Sequence, residues 1–139
     1  MTRGVYAGSF DPVHLGHLAI VERAARTCDE QFVVVSGNPD KPGALFDNDE
    51  RRRLVQASTQ HLGNVSALTH SGLTVELAAE LGADFLLRGI GKEQATELEM
   101  AAMNLRMSGL PTVFLPPDGR SIHTTVSARG QTTLSVSST

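Results

Sequence analysis

Short apolar runs alternate with stretches of helical period along this chain, and that order constrains its fold more than any other feature. Gly4–Gly8 (GVYAG) reads as a short buried strand. From His14 to Cys28, Leu15, Leu18, Val21, Ala25 and Cys28 recur at helical spacing. Gln31–Ser36 (QFVVVS) is again a strand, and Asn38–Phe46, rich in Pro and Gly, is a loop. The next helix is expected to start near Asp47, with Glu50 placed for a capping box, and to run to about His61. Val65–Thr69 is a weaker strand, and Leu73–Leu81 a helix closed by Gly82. Asp84–Leu87 reads as a strand, Glu93–Met107 as a helix closed by Gly109, and Thr112–Leu115 as a fifth strand. Pro116-Pro117 then breaks the pattern. Strand–helix order repeated this often implies a parallel sheet with helices on both faces. Ligands of such sheets bind beyond the carboxyl ends of the strands. Chemistry is therefore expected in residues 8–17, 37–46, 70–74, 88–92 and 116–127.

A chain of 139 residues supports one domain, expected to span residues 1–129. Residues 130–139 (GQTTLSVSST) are nearly all small and polar, with Leu134 and Val136 as a weak apolar pair, and are expected to form a disordered or loosely attached tail. The formal charge of −3 speaks against a nucleic acid polymer as partner, yet a few local cations and helix N-termini suffice for a small phosphorylated ligand. Met1-Thr2-Arg3-Gly4 runs into an apolar stretch that Asp11 stops, so no signal peptide is expected. No apolar run approaches the ~20 residues of a membrane span. The single cysteine, Cys28, lies among apolar neighbours on a helical face and reads as core. These features point to a cytoplasmic protein without a membrane partner. His61, His70 and His123 have no metal-ligand spacing.

The segment that carries chemistry follows the first strand: Gly8-Ser9-Phe10-Asp11-Pro12-Val13-His14-Leu15-Gly16-His17. It reads as a strand end, a tight turn and the start of a helix, where backbone N–H groups favour an anion. Gly8 lets the chain turn and lets a phosphate approach. His14 and His17 flank Gly16 across one helical turn, where imidazoles can donate hydrogen bonds to phosphate oxygens and stabilise charge growing on them.

This string resembles the HxGH nucleotidyltransferase superfamily, whose signature (S/T)-F-D-P-x-H-x-G-H follows its first strand. The resemblance implies an α/β, Rossmann-like, doubly wound parallel sheet of five strands with helices on both faces. It implies direct attack of an acceptor phosphate on the α-phosphorus of an NTP, with release of pyrophosphate and no covalent enzyme intermediate. By the same resemblance His17 stabilises the transition state, His14 assists with phosphates, and Ser9 and Phe10 contact nucleotide and acceptor.

Further motifs are similar to those of one branch, the pantetheine-phosphate adenylyltransferases, across roughly residues 3–117. They are Asn38-Pro39-Asp40-Lys41 (N-P-x-K), Phe46 to Arg51 (F-x-x-x-E-R), Ser71-Gly72-Leu73 (S-G-L), Leu87-Arg88-Gly89-Ile90 (R-G-L) and Met103-Asn104 (M-N). The branch joins ATP and 4′-phosphopantetheine to give dephospho-CoA and pyrophosphate. Carried over, the resemblance makes His17, Lys41 and Arg88 catalytic. Ser9, Lys41, Thr74 and Arg88 would bind the acceptor, with Lys41 and Arg88 neutralising its phosphate. Nucleotide contacts would come from Gly8, Ser9, Phe10, His14, His17, Gly89, Ile90, Gly91, Glu97, Ser121, Thr124, Thr125, Ser127 and Arg129. Mg²⁺ would arrive with the triphosphate. Family members of this branch are usually hexamers, so a homo-oligomer is expected.

The chain departs from the branch at several points. Gly91 stands where a second arginine is usual, with Lys92 adjacent. The nucleotide-binding acid falls on Glu97 when counted from Met103-Asn104, and on Glu99 when counted from Arg88. Residues 120–127 keep hydroxyls but lack the usual aromatic, and counterparts of the helices that close the branch's fold are not expected in residues 1–139. His14 completes the H-x-G-H of nicotinate-mononucleotide adenylyltransferases and cytidylyltransferases. Two alternatives stay open: an adenylyl- or cytidylyltransferase with another phosphorylated acceptor, and a nucleotide-binding module with little catalysis.

Overall fold

A computed structural model of the chain describes residues 1–37, 46–89, 99, 101–106, 109–115, 120–126 and 132–138, the last two as backbone. The apolar runs form five parallel strands: β1 (Arg3–Gly8), β2 (Glu30–Ser36), β3 (Val65–His70), β4 (Phe85–Gly89) and β5 (Thr112–Leu115). Their order in the sheet is β3-β2-β1-β4-β5, with parallel pairing throughout. Val5, Tyr6 and Ala7 of β1 and Val33, Val34 and Val35 of β2 are all buried. Unbroken apolar sequence, rather than alternation, is what strands covered on both faces require.

The helices supply that cover. Helices α1 (Leu15–Thr27) and α2 (Asn48–Ser58) lie on one face. There Ile20, Val21, Ala24 and Val55 pack with Tyr6, Val33, Val35, Leu87 and Leu115. Helix α3 (Thr74–Leu81) lies on the other, where Val75 and Ala78 pack with Val5, Ala7, Val34 and Leu86. The Asp47 carboxylate accepts from the Glu50 N–H at 2.8 Å and opens α2, as the sequence implied. Helix α3 ends at Gly82, also as expected. Residues 101–106 are helical, inside the stretch read as Glu93–Met107; residues 93–98, 100 and 107 lie outside the described residues, as does most of the 38–46 loop.

The expected five-stranded parallel sheet is present but continues further. Strands β6 (Arg120–Val126) and β7 (Thr132–Ser138) extend it as an antiparallel pair, giving seven strands. Strand β7 lies within the stretch that composition suggested would be a loose tail. The register sets Leu134 opposite Thr124 and Val136 opposite Ile122. β-Branched residues crowd both segments and favour extended backbone once a partner strand is beside them. Small, polar composition concealed that partner.

Strand β1 is the switch point. The chain builds outward from it to β2 and β3 on one side and to β4 and β5 on the other. The crevice at the carboxyl ends of β1 and β4 is where such a sheet receives ligands.

Close packing around β1 generates a stability test. A Cβ on Gly4 would stand 2.7 Å from Phe85 Cε2 and 3.2 Å from Leu87 Cδ1. Gly4→Ala is expected to lower unfolding free energy by about 1–3 kcal/mol, as overpacking does, measured by urea denaturation.

Candidate active site

The segment after β1 is held by its own aromatic ring. Phe10 has φ of 45°, in the left-handed region, which costs a non-glycine residue roughly 1–2 kcal/mol. Its ring is only 2% exposed. It meets Tyr6 edge-on at 5.2 Å and His17 edge-on at 4.8 Å. Burying a phenylalanine side chain contributes about 1.5–3 kcal/mol, enough to offset the backbone conformation. A Cβ on Gly8 would sit 3.2 Å from this ring, so glycine there lets the turn fold over β1.

The two histidines close the start of α1 on each other. His14 is the N-cap, and its Nδ1 accepts from the N–H groups of Gly16 (3.1 Å) and His17 (3.4 Å). His17 Nδ1 accepts in return from the His14 N–H at 3.1 Å. This is a capping box built from two imidazoles. The rings stack with centroids 3.6 Å apart and planes 22° from parallel. A neutral imidazole that accepts at Nδ1 carries its proton on Nε2. Both rings therefore offer an Nε2–H donor beside the helix N-terminus, where the macrodipole already favours an anion.

His17 is held neutral. Burial, and then the neighbouring charge of His14, lower its pKa from 6.5 to about 4. Protonation would also turn Nδ1 from an acceptor into a donor and break its bond to the His14 N–H. At neutral pH His17 is thus a fixed, uncharged donor rather than a general acid.

Arg88, on β4, is half-buried and donates from NH1 to the Ala7 carbonyl at 2.8 Å. It borders a cavity of about 210 Å³ on the α3 face, lined also by Leu73, Thr74, Asn104 and Thr112. The cavity and the histidines lie on opposite faces of the sheet. The structure thus brings together Gly8, Ser9, Phe10, His14 and His17 in one turn, and Thr74 and Arg88 around one cavity. Gly89 closes β4 next to that crevice.

Glu99 is helical and exposed. Ser121, Thr124 and Thr125 lie on β6. Lys41, Ile90, Gly91, Glu97, Ser127 and Arg129 lie outside the described residues. One contact was not foreseen: Arg51, 3% exposed, donates to the Ser9 carbonyl at 2.7 Å. The F-x-x-x-E-R motif flagged its position without giving it a task. Among the described residues no three His, Cys, Asp or Glu side chains converge on a point that could hold a metal ion.

The chain is similar to known proteins over most of its length. The cytidylyltransferase-like family profile matches residues 5–126. The phosphopantetheine adenylyltransferase of Corynebacterium diphtheriae is 42% identical over 120 residues, covering 85% of this chain and 76% of the relative. That of Micrococcus luteus is 40% identical over 126 residues, covering 88% and 80%.

The chain belongs to the phosphopantetheine adenylyltransferase family.

The fold is shared more widely than the family. A lipopolysaccharide core biosynthesis protein from Thermoplasma volcanium superposes with a TM-score of 0.60 at 24% identity, covering 82% of this chain and 93% of that one. Within the family fold, the S-F-D-P-x-H-x-G-H segment occupies the β1–α1 turn at the switch point. Among the described residues no helix is long and apolar enough to cross a membrane.

The depressed pKa of His17 has a consequence for stability. Between pH 6.5 and about 4 the unfolded chain binds a proton at His17 that the folded chain does not. Stability from this residue is full above pH 6.5 and is lost as pH falls through that window. His17→Gln keeps a capping side chain at the same helix position but cannot titrate. Its melting temperature is expected to fall less steeply than the wild type's from pH 7 to 4.5, measured by circular dichroism.

Proposed function

We propose that this protein transfers the adenylyl group of ATP to 4′-phosphopantetheine, giving dephospho-CoA and pyrophosphate. The observation that carries the reading is the pair of stacked, mutually capping histidines at the N-terminus of α1, in a chain at least 40% identical to phosphopantetheine adenylyltransferases. The reaction needs no covalent enzyme intermediate. An oxygen of the acceptor's phosphate attacks the α-phosphorus, and the bond from that phosphorus to the bridging oxygen breaks. Pyrophosphate leaves with the bonding electrons. Negative charge gathers on the non-bridging α-oxygens and on the leaving group.

Each side chain then has a task. His17, held neutral, donates its Nε2–H where charge grows, without a proton leaving the enzyme. His14 donates in parallel to the phosphates. The Ser9–Phe10 turn carries the phosphates past Gly8. Arg88 and Lys41 hold the acceptor phosphate, and Thr74 touches its arm in the cavity on the α3 face. Arginine suits forked contact with a phosphate, and lysine serves as a point charge. The work is alignment and fixed electrostatics, the usual division in phosphoryl-group chemistry. The nucleotide would be completed by Gly89, Ile90, Gly91, Glu97, Ser121, Thr124, Thr125, Ser127 and Arg129.

Mg²⁺ would be held by triphosphate oxygens and waters, its ordinary mode with nucleotides, and would neutralise phosphate charge there. We propose a cytoplasmic setting, which a lone, buried Cys28 suits, and a homo-oligomer, a hexamer by resemblance.

The test is pyrophosphate release from ATP, Mg²⁺ and 4′-phosphopantetheine. Release is expected to require the acceptor. His17→Ala is expected to lower kcat by about 10²–10³-fold, as loss of one transition-state donor does, while ATP affinity changes far less. Acceptor-independent release, or release only with CTP or another phosphorylated acceptor, would overturn the assignment.

A further inference from the structure

We propose that Arg51 is a positioning residue of the phosphate site, fixing the Ser9–Phe10 turn. The proposal rests on the nucleotidyl-transfer reading above. Arg51 begins the second turn of α2 and is 3% exposed. Its guanidinium spreads over three acceptors: NH1 to the Ser9 carbonyl at 2.7 Å, NH2 to Asn48 Oδ1, and Nε to the Asp47 carbonyl at 3.4 Å. All three are neutral oxygens. Among the described residues no carboxylate lies within ion-pair distance of it.

A buried cation without a counter-charge is a costly way to hold a helix in place. A neutral donor or an ion pair would serve structure better. The charge makes sense beside a turn that receives a polyanion, because the ligand then supplies the missing negative charge.

The contact also sets a donor. The Ser9–Phe10 peptide is trans, so its carbonyl and N–H point in opposite directions. With the Ser9 carbonyl drawn to Arg51, the Phe10 N–H faces away from the guanidinium. Among the described residues no acceptor takes it, and the positive φ of Phe10 maintains that direction. Arg51 thereby leaves a backbone donor open in the same β1–α1 turn that carries the two histidines.

The experiment uses the full chain with Arg51→Lys and Asn48→Ala. Lysine keeps the charge but lacks the planar fork that reaches two acceptors at once. Asn48→Ala removes one acceptor and leaves the arginine. For each protein, kcat, both KM values, the melting temperature and the calorimetric affinity for Mg²⁺-pyrophosphate are measured. Arg51→Lys is expected to fold, to lose roughly 10- to 100-fold in kcat and to bind pyrophosphate more weakly. Asn48→Ala is expected to shift all of these the same way by less. A lower melting temperature with unchanged kcat and pyrophosphate affinity in the folded fraction would make Arg51 structural only and overturn the proposal. If Arg51→Lys does not fold, Asn48→Ala decides by the same criterion. If the wild type shows no acceptor-dependent turnover, the functional reading fails, and pyrophosphate affinity alone decides the role of Arg51.

Discussion

The reciprocal capping of α1 by His14 and His17 is the constraint on which the site depends. One pair of imidazoles satisfies the open N–H groups at the helix start and, by using Nδ1 for that purpose, fixes where each proton sits. The helix cannot start at this point with these residues in any other tautomer without losing a cap bond. Structure and chemistry are therefore the same interaction seen from two sides. The Phe10 ring, packed edge-on against His17 and Tyr6, completes the arrangement by removing water from one side of His17. That burial is the main reason the ring stays neutral.

A second feature follows from strand order. Alternate residues of β1 face opposite layers, so Tyr6 packs toward α1 while Val5 and Ala7 pack toward α3. The proposed phosphate donors belong to the first layer, and the Arg88 cavity to the second. The two ligands would then approach from opposite faces and meet only at the carboxyl edge of β1 and β4. In-line displacement needs attack from the side opposite the leaving group, and a switch-point crevice is where such a sheet receives ligands.

Much of this was readable from the sequence. Repeated apolar runs bounded by Gly and Pro located all five parallel strands, and Asp47 with Glu50 located a helix start. The G-S-F-D-P-x-H-x-G-H string marked the turn between β1 and α1 because several rare choices coincide there. The rest was hidden for physical reasons. The β6–β7 pair has little apolar pattern, and extended structure without it needs a neighbouring strand that composition does not reveal. Arg51 looked like one of three successive arginines on a polar helix, Arg51-Arg52-Arg53. Only the third dimension shows that its side chain turns inward to Ser9 while Arg52 and Arg53 pair with Asp49 at the surface. The two histidines read as phosphate ligands, but nothing in their spacing said that they cap each other.

The most direct measurement is the tautomeric state of the two imidazoles, read from long-range ¹H–¹⁵N correlations of the ¹⁵N-labelled protein at pH 7. The expected result is an unprotonated Nδ1 and a protonated Nε2 for His14 and His17, with His17 remaining neutral well below pH 6. A proton on Nδ1 of His17, or a charged His17 at pH 7, would contradict the account, since neither state can cap α1 and offer a neutral Nε2–H donor to a phosphate.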